Sequence, residues 1–211
     1  MIPTKDEWNS ALSARHGKAL QRTFSSATVA VCGLGGLGSN IAIALARAGI
    51  GTLILIDFDR VDIANLNRQQ YKADQIGMYK TEALSENLRE IAPYVELTTA
   101  TERITEANAV ALLKEADIIC EAFDNAECKA MLTNTVLEKL PGTFLVAASG
   151  LAGMGSTNAI QTRRLSQHFY LCGDGTSDVS AAGSLVAARV MLCAAHQAHT
   201  VLRILAGHYE P

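Results

Sequence analysis

The sequence predicts an α/β protein built on a Rossmann-like, mainly parallel sheet with helices on both faces and a small antiparallel extension. Three observations carry that prediction. A β-branched apolar run, "TVAVCG" from Thr28 to Gly33, opens into the glycine series "GLGGLG", and an alanine-rich helical segment follows at once. Strand-like and helix-like segments then alternate along most of the chain, which calls for parallel strands joined by helical crossovers. The composition, 49% hydrophobic and 18% charged over 211 residues, is that of a globular chain able to bury one large core.

Taken in order, residues 1–27 read as a helical lead-in, with "HGKALQRTFSSA" as an amphipathic piece, and residues 28–211 as one domain. The first strand, Thr28 to Gly33, is followed by a helix from Gly38 to Ala48 with Ser39 and Asn40 in its first turn. Gly49 and Gly51 end that helix, and "TLILID" forms the second strand. "KTEALSENLREIAP" is a helix stopped by proline, "VELTTA" a strand and "TEANAVALLKEA" a helix. "DIICEAF", Asp117 to Phe123, is a buried strand, "ECKAMLTNTVLEKL" a helix and "TFLVAAS" a further strand. Beyond Ser149 the rhythm changes. "GSTNAIQTRRL" and "HFYLCG" read as two short strands, the antiparallel extension, and the polar loop "GDGTSDVSAAG" leads into one long helix from about Ser180 to Leu205.

Several function classes are disfavoured. A formal charge of -3 and a pI near 5.9 give no sign of nucleic acid as the main partner. No stretch reads as a membrane span, and the polar start "MIPTKDEWNS" shows no signal peptide, so a cytoplasmic protein is expected. The five cysteines form no CxxC pair and are odd in number, which argues against a disulfide framework or a zinc site. His196 and His199 lie three apart on a helix, without a third metal ligand, and read as ordinary polar positions.

The glycine series satisfies G-x-G-x-x-G between a strand and a helix. Gly33, Gly35 and Gly36 let backbone approach a phosphate or sugar, Gly38 permits close packing of helix on strand, and the helix amides face an anion. Asp57, about twenty residues on, is placed to hold a ribose hydroxyl. At this point ATP and NAD are both open, an NAD-dependent oxidoreductase being the alternative. The stretch "NLNRQQY" separates them. An enzyme that cleaves ATP between the α and β phosphates must neutralise the departing pyrophosphate, which Arg68, Gln69, Lys80 and a metal-holding acid would do. "EAFDNAECK" supplies that acid as Asp124 at a strand end, followed by Asn125 and Lys129.

The combination "GLGGLGSN…IDFDRVDIANLNRQQY…GMYK…AFDN" resembles the ThiF-like, ubiquitin-activating-enzyme-like adenylyltransferases from about Val29 to the final helix. The resemblance implies ATP and Mg2+ as cofactors, and a single adenylyltransferase domain. It implies a site made of the glycine loop with Asp57 and Asp59, of Asn65, Arg68, Gln69 and Lys80 at the phosphates, and of Asp124 at the magnesium ion. The substrate it implies is the C-terminal carboxylate of a small ubiquitin-like sulfur carrier ending in Gly-Gly, of the ThiS type used in thiamine thiazole synthesis. Activation of the molybdopterin sulfur carrier or of a tRNA-base carboxylate are alternatives, and a non-enzymatic nucleotide-binding scaffold is a different class. It further implies a homodimer in which an arginine near the N-terminus, here Arg15, serves the partner's site. Cys172, in "YLCGDG", matches the region where some relatives carry a cysteine that bonds covalently to the activated carrier. Two features depart from the pattern: the zinc-binding CxxC pairs are missing, so no zinc is expected, and Tyr79 replaces the usual proline before the lysine.

Overall fold

The structure, a computed structural model, describes residues 2–211. It opens with α1 (Lys5–His16), started by a reciprocal cap in which Thr4 Oγ1 accepts from the Glu7 amide and the Glu7 carboxylate accepts from the Thr4 amide. Gly17 breaks the chain into α2 (Lys18–Ser26), which buries Gln21 and Phe24. Then follow β1 (Thr28–Cys32), α3 (Gly36–Ala48), β2 (Thr52–Ile56), α4 (Lys80–Ile91), β3 (Glu96–Ala100), α5 (Ala109–Leu113), β4 (Ile118–Glu121), α6 (Ala126–Lys139) and β5 (Phe144–Ala148). The last part holds β6 (Gln161–Arg164), β7 (Phe169–Gly173), α7 (Val179–Ala182) and α8 (Ala187–Leu205).

The strands form one seven-stranded sheet in the order β3-β2-β1-β4-β5-β7-β6, parallel except for β6. Strand alternation builds two cores. Val29, Val31, Leu53, Leu55, Ile118 and Cys120 face the layer of α3, α4 and α8, while Ala30, Cys32, Ile54, Ile56 and Ile119 face α5 and α6. The near-continuous apolar character of these strands follows from burial on both faces. Chain order runs outward from β1 to β3 and then restarts at β4 on the other side of β1, so the carboxyl ends of β1 and β4 flank a switch point. No helix among the described residues is long and apolar enough to cross a membrane.

The expected antiparallel extension is present as the edge pair β6–β7, with β7 itself running parallel to β5. Two other expectations need correction. The long helix from Ser180 is interrupted. Gly183 takes a left-handed φ of 69°, and Val186 is extended with ψ 139° before α8 begins. The interrupted backbone bonds elsewhere, Gly153 N donating to Ser184 O and Asn67 Nδ2 to Leu185 O. The expected helix "TEANAVALLKEA" is also shorter, because the Asn108 side chain accepts from the Thr105 amide and competes with a regular helical start.

Candidate active site

A cleft of about 550 Å³ lies across the carboxyl ends of the central strands. Its floor is the turn after β1. Gly33 has φ 91° and would bring a Cβ within 2.9 Å of Ala122 O, so only glycine fits there. Gly38 lies below the turn rather than in the cleft. A Cβ at Gly38 would stand 1.8 Å from Gly33 O, so its role is to let α3 lie close under the strand end.

Asp57 closes the turn. Its Oδ2 accepts from the Leu34 amide at 2.6 Å and its Oδ1 from the Asp59 amide at 2.7 Å. Burial pushes its pKa above the usual aspartate value, against the pull of Lys80 and of the two amides. Lys80 is itself buried, 3.0 Å from Asp59 and 3.9 Å from Asp57. It starts α4, and Tyr79 before it has φ -63°, the value a proline would impose, so the helix begins as it would after proline. The Tyr79 ring also carries the Arg60 guanidinium, 3.7 Å from its centroid.

Arg68 reaches the cleft because its loop is tied down onto α3. Ser39 Oγ accepts from the Gln70 amide at 3.1 Å, and Asn40 donates to Arg68 O at 3.3 Å while accepting from Gln70 Nε2 at 2.7 Å. The guanidinium is aimed by Asn65 and Asn67, whose side-chain oxygens accept from it at 3.0 and 2.9 Å. Gln69 is buried at the cleft wall, and its Oε1 has no partner among the described residues.

Opposite this group stands Asp124, at the carboxyl end of β4. It faces the cleft, is exposed, and pairs with no cation among the described residues. A lone carboxylate in the same cleft as Arg68 and Lys80 is of the kind that suits Mg2+, which is held by one or two carboxylates together with substrate oxygens and water. No group of three metal-ligating side chains occurs among the described residues.

Sequence reasoning missed a buried pair beneath Asp124. Glu121, only 1% exposed, receives both contacts of Lys129 at 3.0 Å, and Lys129 also donates to Ala148 O at 3.0 Å. Glu121 accepts from the Phe123 amide as well, at 2.7 Å, which fixes the turn that presents Asp124. Burial raises the Glu121 pKa despite the Lys129 charge. Phe58, with Arg103 stacked 4.1 Å from its centroid, walls the far end near Asp57 and was likewise not foreseen.

The structure gathers Gly33, Gly35, Gly36, Asp57, Asp59, Asn65, Arg68, Gln69, Lys80 and Asp124 around this one cleft. Cys172 is not among them. It is fully buried in the sheet core, with its thiol raised by burial and near the hydroxyls of Thr162 and Thr200 at 3.5 and 3.9 Å. A buried thiol with a raised pKa is a poor nucleophile, so in this structure Cys172 acts as a packing residue. His196 bonds Thr162 Oγ1 at 3.0 Å and does not meet the cleft.

A model of the ThiF family matches residues 9–211. The chain belongs to the ThiF family. This ThiF-family chain is 27% identical over 195 residues to the adenylyltransferase and sulfurtransferase UBA4 of Lodderomyces elongisporus, across 90% of this chain and 42% of that protein. It is 35% identical over 153 residues to the tRNA threonylcarbamoyladenosine dehydratase of Escherichia coli, across 71% of this chain and 56% of that protein. The chain thus spans about half or less of the length of these curated relatives. Among solved structures, the E. coli dehydratase TcdA in complex with AMP superposes with a TM-score of 0.87 at 22% identity, over 98% of both chains. Its ATP complex gives 0.86 at 23% identity. This likeness shows that the ThiF-family fold here is the TcdA fold.

Proposed function

We propose that this ThiF-family protein adenylylates the C-terminal carboxylate of a small ubiquitin-like sulfur carrier, of the ThiS type, with ATP and Mg2+. The observation that carries the proposal is the arrangement across the cleft. A glycine turn and a ribose-ready carboxylate hold one end, Arg68 and Lys80 line one side, and the uncommitted carboxylate of Asp124 faces them. An NAD enzyme leaves its diphosphate intact and has no use for that charge. In this reading Gly33, Gly35 and Gly36 approach the phosphates, Asp57 holds the ribose, Asn65 and Gln69 contact the triphosphate, and Arg68 and Lys80 neutralise its charge. Asp124 holds Mg2+, which supplies further charge neutralisation on the phosphate oxygens.

The chemistry is one displacement. A carboxylate oxygen forms a bond to the α-phosphorus, the bond from that phosphorus to the bridging oxygen breaks, and pyrophosphate leaves with the electron pair. A chain-terminal carboxyl has an ordinary pKa of about 3.5, so the nucleophile is already ionised and needs no general base. Alignment and charge stabilisation carry the rate. Arg15 lies exposed on α1, outside the cleft of its own chain. In this reading the homodimer that the family resemblance implies would bring Arg15 of a second copy to the phosphates.

The test is pyrophosphate–ATP exchange with Mg2+, with and without a carrier ending in Gly-Gly. Exchange that needs the carrier and its intact tail is expected, as is a loss of at least about a hundredfold in folded Arg68→Ala and Asp124→Ala. Near-normal exchange by both variants would sink the assignment. A carboxylate borne on tRNA is the second reading, favoured by the fold match to TcdA over 98% of both chains. Exchange stimulated by tRNA and not by a carrier would select it.

A further inference from the structure

Arg189 is buried in the first turn of α8, apart from the residues assigned to the phosphates. Its guanidinium makes four hydrogen bonds. Nη2 donates to Asp174 Oδ2 at 2.6 Å, Nη1 to Gly155 O at 2.8 Å and Ser156 O at 3.1 Å, and Nε to Ala152 O at 3.1 Å. These acceptors belong to two separate segments, one following β5 and one following β7. Asp174 binds its own segment as well, accepting at Oδ1 from the amides of Thr176 and Ser177 at 2.9 and 2.8 Å. Burial opposes its ionisation, but the Ser177 and Thr176 amides, the Ser177 hydroxyl and Arg189 outweigh that and hold its pKa well below the usual value.

The two segments are stitched together along their length. Asp174 N donates to Gly150 O at 2.9 Å, Gly175 N to Ser149 O at 3.0 Å and Ala152 N to Ser177 Oγ at 3.0 Å. A side chain at Gly150 would collide with the Asp174 carboxylate, its Cβ lying 2.1 Å from Oδ1. Both segments also line the cleft, through Ser149, Gly150, Leu151 and Ala152 of the first and Ser177 and Asp178 of the second. These lining residues are mostly small and include no cation, unlike the phosphate side. Such a lining suits an extended, glycine-rich polypeptide end better than a polyanion, which would need neutralising charge.

We propose that Arg189 is a positioning residue: it holds the segments after β5 and β7 together as one wall of the cleft, along which the substrate's C-terminal tail lies. This rests on the carrier reading above. A guanidinium can span four acceptors in one plane, whereas a lysine ammonium has a single nitrogen and cannot.

Arg189→Lys keeps the charge and loses the span. Its expected effect is a rise of about tenfold or more in the KM for a Gly-Gly-ended carrier, while kcat and the ATP Kd change by less than about threefold. Asp174→Asn shifts the same parameters in the same direction. A folded Arg189→Lys protein with unchanged carrier KM overturns the proposal, as does a loss confined to ATP binding. Hydrogen exchange on Asp174→Asn supplies a second readout that needs no carrier. Faster exchange in 149–156 and 174–178, with the glycine turn unaffected, supports Arg189 as the residue holding the wall, and unchanged exchange there overturns it. A wild-type protein without carrier-dependent exchange refutes the carrier reading instead, and the hydrogen-exchange result still decides whether the wall depends on the pair.

Discussion

Asp57 serves two masters, the fold and the ligand. Its oxygens already accept from the Leu34 and Asp59 amides, so the carboxylate shapes the glycine turn before any nucleotide arrives. Because burial raises its pKa, the folded protein holds a proton in the window between the ordinary value and the raised one, where the unfolded chain has released it. Stability from this group is therefore greatest below that window and is lost as pH rises through it. Nucleotide affinity has the opposite sign, since a ribose hydroxyl donates best to the ionised form. Titrating AMP affinity downward from pH 8 in wild type and in Asp57→Asn separates the protein's titration from that of the AMP phosphate, which itself takes up a proton at about pH 6. The part of the loss that the variant lacks should have a midpoint above the roughly 3.9 of an exposed aspartate, and the variant itself should weaken AMP by about 1.5–3 kcal/mol at neutral pH. A midpoint at the ordinary value, or a loss identical in the variant, would assign the titration to another group.

Between β4 and α6 the geometry depends on Glu121 and Lys129. Lys129→Met strands a carboxylate that is 1% exposed, at a cost of about 3–5 kcal/mol in a urea melt. The double variant Glu121→Leu, Lys129→Met should recover much of that stability yet still bind Mg2+–ATP more weakly, because the Phe123 amide loses its acceptor and the Asp124 turn loosens. Full recovery of both properties would show that the pair does not position Asp124. Elements of this kind differ in how visible they are in the amino-acid string. The glycine turn, the acid at the end of β2 and the Asp-Asn pair at the end of β4 are local patterns, each set within a few residues. Glu121–Lys129 and Arg189–Asp174 join residues whose types suit any exposed surface, and only strand register and loop closure bury them. Cys172 could have been read better. Tyr170 and Cys172 alternate along β7 and share its buried face, a period-two signal that outweighs proximity to the polar loop. The break before α8 was hidden for another reason: small residues favour helix locally, but the backbone at Ser184 and Leu185 serves neighbouring loops instead.

Across the whole molecule, the lead-in divides by how deeply it is anchored. α1 buries none of its own residues, whereas α2 inserts Phe24 into the same core as Val29, Leu45 and Val201. Removing residues 1–16 should shift the Tm by only a few degrees, while removal through residue 26 should cost at least the roughly 3–5 kcal/mol of a buried phenylalanine. Equal losses from both truncations, measured by calorimetry, would mean that α1 contributes as much as the core insertion. The layering that buries Phe24 also sorts the sulfur chemistry of the chain. Cys32, Cys120, Cys172 and Cys193 lie inside, their thiols raised by burial, that of Cys193 to about 12. Cys128, half-buried at the start of α6 and lining the cleft beside Asp124, is left as the one thiol within reach of solvent. A maleimide dye would therefore label the native protein at a single place, and bound nucleotide would shield it, so the wild-type sequence already carries a fluorescent handle for watching its own cleft fill and empty.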